Sequence, residues 1–151
     1  MKATTRLSRY IAGLALAAGT LCAAPGELVH CFTFTPIESA PQSDWDAFYK
    51  ATSDLPGKIH GLKYAWAGKL VRPQNIPAIT IADAEARKKM MADGKGTGEF
   101  TINKREYGAC MIFANEAAFK AYDADPGHKA WVGVYEKVRK PGTTTFQFVS
   151  K

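Results

Sequence analysis

Residues 107–113 read YGACMIF, an apolar run of strand length. Residues 115–124 then place Ala118, Phe119 and Tyr122 at helical spacing behind Asn115, a residue suited to an N-cap. Asp125-Pro126-Gly127 ends that helix and His128 follows at once. Earlier, residues 28–35 alternate His30, Phe32 and Phe34 against Cys31, Thr33 and Thr35, the pattern of a half-buried strand. Ser43 is placed to cap a helix running to Leu55, with Trp45, Phe48, Tyr49 and Thr52 on one face and Pro56-Gly57 as its stop. Residues 62–71 predict a second strand, in which Leu62, Tyr64 and Trp66 alternate with Lys63, Ala65 and Ala67. Residues 72–77 read as a loop, residues 81–93 as an Ala- and Lys-rich helix, and Gly94, Gly96 and Gly98 as a flexible break. Residues 100–113 hold the third strand, residues 129–138 a short helical stretch, and residues 143–149 a last strand after a Pro141-Gly142 turn.

The resulting order is β-α-β, an insertion over about residues 73–100, then β-α-β. It predicts an α+β fold: a ferredoxin-like split βαβ arrangement with helices on one face of an antiparallel sheet and an inserted helix between strands 2 and 3. The other sheet face is left bare, and a bare, partly apolar sheet is normally covered by a partner.

At 151 residues the chain suits one domain, but its first two dozen residues stand apart. Lys2, Arg6 and Arg9 precede the small, apolar run IAGLALAAGTL and the small residues Cys22-Ala23-Ala24. That is the pattern of a secretory signal peptide, residues 1–24, ahead of a domain over residues 27–151. The run is too short for a permanent bilayer span, which needs about 20 residues. Cys22 invites a lipoprotein reading, but Leu21 is a poor residue before a lipidated cysteine, and an uncleaved anchor is a further competitor. The expectation is a soluble exported protein, periplasmic or extracellular, with no stable membrane insertion. The net charge of +6 includes three positive leader residues and no leader acid, so the remainder is near +3. That is too little to argue for nucleic acid, and Arg87-Lys88-Lys89 reads as a solvated helix face.

Several segments in order resemble the stress-responsive A/B barrel (Dabb) domain. LVHCFTF at residues 28–34 resembles its opening strand with an early His, and IHGL at residues 59–62 resembles its first helix-to-strand turn, with His60 where Pro is usual. WAGK at residues 66–69 resembles its Trp-Gly-Lys strand end, and the strand, Tyr-ended helix and Pro-x-His turn of residues 107–131 resemble its C-terminal half. The resemblance spans roughly residues 28–149, interrupted by the insertion. It implies a homodimer in which two bare sheet faces close a barrel, with Cys31, Thr33 and Ala65 on that side by alternation. In this fold the strands of Cys31 and Cys110 are neighbours, and alternation puts both on one sheet face. Two buried thiols are the favoured reading, with a disulfide, which export permits, as the alternative.

The resemblance also implies a site. His30, Tyr122 and His128 match positions that act in a plant polyketide cyclase of the family, where a His serves as general base and a Tyr holds the developing oxyanion. Phe32, Phe48, Tyr49, Met111 and Trp131 would line an apolar pocket for a small apolar or aromatic ligand. Where the cyclase has an Asp on its last strand, this chain has Gln147, so no charge partner for a His is implied. Structural roles compete: a satisfied, partly buried His30, a core Tyr122, and a His128 that caps a helix end. His30, His60 and His128 lack metal-ligand spacing, and the Gly94-x-Gly96-x-Gly98 run follows a helix instead of opening one, so neither a metal nor a cofactor is expected. A haem- or quinone-type monooxygenase of the same architecture has no positive sign in the residues. The expected function is a stress-associated small-molecule-binding module without established catalysis. The alternatives are a cofactor-free cyclase-like enzyme using His128 and Tyr122, and a structural or protein-interaction domain.

Overall fold

The structure is a computed structural model that describes residues 23–151; all but the last two residues of the expected leader lie outside the described residues. The elements are β1 (Leu28–Pro36), α1 (Gln42–Asp54), β2 (Leu62–Thr80), α2 (Ala84–Asp93), β3 (Glu99–Phe113), α3 (Glu116–Tyr122), α4 (Pro126–Tyr135) and β4 (Arg139–Val149). The four strands form one sheet in the order β2-β3-β1-β4, each neighbouring pair antiparallel. This is the ferredoxin-like α+β fold, with the sheet open and not closed into a barrel within the chain.

α1, α3 and α4 cover one face. Alternation along β1 sends Phe32 and Phe34 toward them, where they join Phe48, Leu55, Met111, Phe113, Tyr122, Trp131 and Val138 in the core. The opposite face carries Val29, Cys31 and Ile112, with Trp66, Phe146 and Phe148 about half exposed beside them. Ala65, expected on that bare face, packs against the helix-side core. The cause is a register shift between Leu62 and Tyr64, which leaves Leu62 in the core and turns both Tyr64 and Trp66 outward.

Cys31 and Cys110 face each other across β1 and β3 and are joined as a disulfide, with 4.1 Å between their Cα atoms. The favoured reading of two separate thiols is therefore corrected. Strand alternation set the face, but only the register made the two cysteines direct cross-strand partners.

Residues 72–77 are strand and not loop. β2 and β3 continue past the sheet as a two-stranded arm, pairing from Gln74 with Arg105 to Thr80 with Glu99. α2 sits at the tip, capped by the Asp83 carboxylate and closed by Gly94 in the left-handed region, and none of its residues is buried. Pro41, not Ser43, precedes α1, without a side-chain cap. Excising residues 81–98 and joining Thr80 to Glu99 through Asn-Gly should leave a cooperative domain, with stability changed by less than about 1 kcal/mol. Chemical denaturation checks this; loss of a cooperative transition would show that the arm belongs to the core.

Candidate functional site

β1, α3, α4 and β4 together shape a cleft. Gly61, at φ +79, makes the turn into β2, and its backbone carbonyl accepts from the Ala114 amide. A Cβ there would lie 2.5 Å from the Ala118 Cβ, so only glycine lets α3 pack this closely. Asn115 caps α3 as expected, accepting from the Ala118 amide at 2.9 Å. Asp125 then caps α4, accepting from the Gly127 amide at 2.7 Å, with Pro126 in the first turn. His128 thus stands at the start of a helix and cannot serve as a cap on the end of α3. The helical period puts His128, Trp131 and Tyr135 along one side of α4, facing β1.

The cleft has a volume of about 250 Å³, and its walls include His30, Phe32, Tyr122, His128, Trp131 and Tyr135. The Tyr122 and His128 ring centroids are 3.9 Å apart, and those of His30 and Tyr122 are 6.4 Å apart. His30 Nδ1 lies 3.0 Å from the amide nitrogen of Gln147, its partner in register on β4. Burial is the main cause holding the His30 imidazole below its ordinary pKa; the Asp123 carboxylate opposes this and His128 adds to it. Burial likewise pushes the Tyr122 phenol up, with Asp123 and then Tyr135 adding. Near neutral pH the site therefore presents a neutral imidazole and a phenol that keeps its proton. A neutral amide partner accommodates either imidazole tautomer, whereas a carboxylate would hold a proton on the ring.

Three of the expected pocket residues lie elsewhere. Phe48 and Met111 are wholly buried in the core between helices and sheet. Tyr49 is more than a third exposed and packs on Trp45 and Phe48. An apolar face does not say which part of a core stays open. Phe32 and Trp131 do line the cleft. Trp131 is fixed there by donating its indole N–H to Thr52 Oγ1 at 3.0 Å, while that hydroxyl donates to the Phe48 carbonyl. Tyr135 and Arg139 were missed. Tyr135 stacks on Trp131 at 4.9 Å, four residues along the same helix, and that spacing could have found it. Nothing in the sequence pattern singles out Arg139, which reaches the cleft because it pairs with Pro36 at the start of β4.

No protein-family model matches the sequence, and no curated protein matches it either. Solved structures do. A Dabb family protein with a ferredoxin-like fold from Mesorhizobium loti is 16% identical, with a TM-score of 0.53 over 83% of this chain and 98% of that one. This chain has the fold of a Dabb protein. A dimeric ferredoxin-like protein of unknown function from Thermobifida fusca is 17% identical, covering 87% of this chain and 97% of that one with a TM-score of 0.54. The hydroxynitrile lyase of Passiflora edulis is 11% identical, covering 85% and 96% respectively with a TM-score of 0.55. The Dabb-like domain therefore shares its fold with an enzyme and with proteins of no assigned activity.

Proposed function

We propose that this chain is an exported, homodimeric Dabb-type domain that binds a small aromatic molecule in the cleft beneath α3 and α4. One observation carries the binding reading. His128 Nδ1, the Tyr135 hydroxyl and Arg139 Nε are buried without a hydrogen-bond partner among the described residues, and all three residues line the same cleft. Buried polar atoms are normally paired, and a molecule held between them would pair them. Export is supported by the leader pattern and by the Cys31–Cys110 bridge, since disulfides persist in oxidising compartments. Dimerisation is supported by the half-exposed Trp66, Phe146 and Phe148 on the open sheet and by the dimeric fold neighbour from Thermobifida fusca.

A second reading, a cofactor-free acid–base enzyme, is favoured by the contact of Tyr122 with His128 and by the neutral His30 beside them. An imidazole can take a proton next to a carbonyl while the phenol donates to the oxyanion that forms. Benzamide, a neutral aromatic probe, separates the readings from a filled, purely structural pocket. On its titration the Trp131 indole and His128 resonances should shift. His128→Ala should weaken it by the ~0.5–1.5 kcal/mol of one hydrogen bond while the fold persists. No shift at either residue, with benzamide or with its charged analogue benzoate, would reject the binding reading. If the site is catalytic, His128→Ala and Tyr122→Phe should each abolish turnover of a competent substrate without unfolding the protein.

A further inference from the structure

Resting on the reading of the cleft as a binding site, we propose that its Arg139–Tyr135 end is a carboxylate subsite. The bound molecule is then a small aromatic monocarboxylate, its anion at Arg139 and its uncharged body among Phe32, Trp131 and His128. The cleft has two ends of different character. Gln147 pairs with His30 and Thr143 pairs with Phe34, so β4 runs four residues from the histidine end to the arginine end, about 13 Å of strand. Asp123 stands at the histidine end, where its charge acts on His30. Among the described residues a single cation, Arg139, lines the other. The Arg139 guanidinium lies over the Tyr135 ring at 4.7 Å.

Arg105 lies outside the cleft wall: it is buried and donates to the Thr35 and Thr144 hydroxyls, and Thr144 pairs with Thr33 on the sheet face turned away from the cleft. Burial pushes the Tyr135 phenol up, and the charges of Arg139 and then Arg105 oppose that rise.

The donors at that end are not used up. Glu136 meets Arg139 only at Nη2, at 3.4 Å and from the solvent side. Stacking accounts for the guanidinium's place over the ring but gives its Nε–H no acceptor. The Tyr135 hydroxyl, on a residue 5% exposed, has none either. The N–H of a guanidinium that lies over the ring and the O–H of that same ring suit the two oxygens of one carboxylate. A second anionic group farther along would meet Asp123, so a monocarboxylate fits and a dicarboxylate does not. The aromatic part follows from Phe32 and Trp131, whose rings stand 6.1 Å apart edge to face on the cleft wall.

The test compares benzoate with benzamide, which have nearly the same shape and differ in charge, by titration of the full domain at neutral pH. Benzoate should bind at least about tenfold more tightly, as charge-assisted hydrogen bonds are stronger than neutral ones. Arg139→Gln should remove that preference by weakening benzoate far more than benzamide. Tyr135→Phe, which keeps the buried ring, should weaken benzoate several-fold more than it weakens benzamide. If Arg139→Gln does not fold, Tyr135→Phe decides. Equal binding of the two probes by the unaltered protein, with shifts at Trp131 and His128, would overturn the carboxylate subsite and leave the binding reading standing. So would a preference for benzoate that survives the substitutions. Binding of neither probe would overturn both.

Discussion

Replacing Cys31 and Cys110 together by alanine is expected to lower the stability of the domain by about 2–5 kcal/mol. The bridge spans a sequence separation of 79 residues, nearly the whole interval from the first strand to the third. In the chain-entropy account, closing a loop of that length in the unfolded chain is worth about 4.5 kcal/mol at 25 °C. For a domain of this size such a loss is a large share of a total of roughly 5–15 kcal/mol. Cys31 is also buried beside Val29 and Ile112, so the alanine pair adds a modest packing loss on the open face. Denaturant titration of oxidised, reduced and doubly substituted protein measures the effect. Two titratable thiols in protein purified under oxidising conditions would show that the bridge does not form. A stability difference near zero would show that it forms without contributing.

Trp66→Asp is expected to convert the domain from dimer to monomer at micromolar concentration. Trp66 lies opposite Cys110 on the outward face of the sheet, about half exposed, with Tyr64 on the same strand and Phe146 and Phe148 on β4. If two such faces meet, each aspartate is buried without a partner. An unpaired buried charge costs several kcal/mol, and each 1.4 kcal/mol is tenfold in the dissociation constant, so weakening by roughly a hundredfold or more follows. The folded subunit should tolerate the change because the side chain reaches solvent when alone. Sedimentation velocity across a concentration series distinguishes the outcomes. An unaltered protein that is monomeric throughout, or a variant that dimerises as well as its parent, would place the interface elsewhere or nowhere.

The cleft shows how far a linear pattern reaches. Tyr122 and His128 could be proposed as a pair because a helix ending in Tyr and a short turn bring them within six residues, whereas His30, 92 positions before Tyr122, joins them only through the family resemblance. Tyr135 follows from the period of a helix already expected, yet its relation to Trp131 went unused. Arg139 is different. It faces the cleft only through the pairing of β4 with β1, which joins residues more than a hundred positions apart; Gln147, which the resemblance alone points to, meets His30 through the same pairing. The assignment of Phe48, Tyr49 and Met111 failed for a related reason: apolar residues on a helix-facing surface are interchangeable in the pattern, and packing decides which are sealed in.

Local chemistry was enough to determine the elements and their order. Alternation with a period of two marked the strands, helical spacing marked the helices, and Asn115, Pro126 and Gly94 punctuated them, because these preferences act within a few residues. The bare sheet face followed from the same alternation. Ala65 was the exception, because one register shift in β2 exchanges the faces of every residue after it. What tertiary structure alone decided was register. It joined Cys31 to Cys110, extended β2 and β3 into an arm where a loop was expected, and set Arg139 above Tyr135. Each depends on which residue of one strand lies opposite which residue of another, and that is selected by the packing of the whole sheet against its helices.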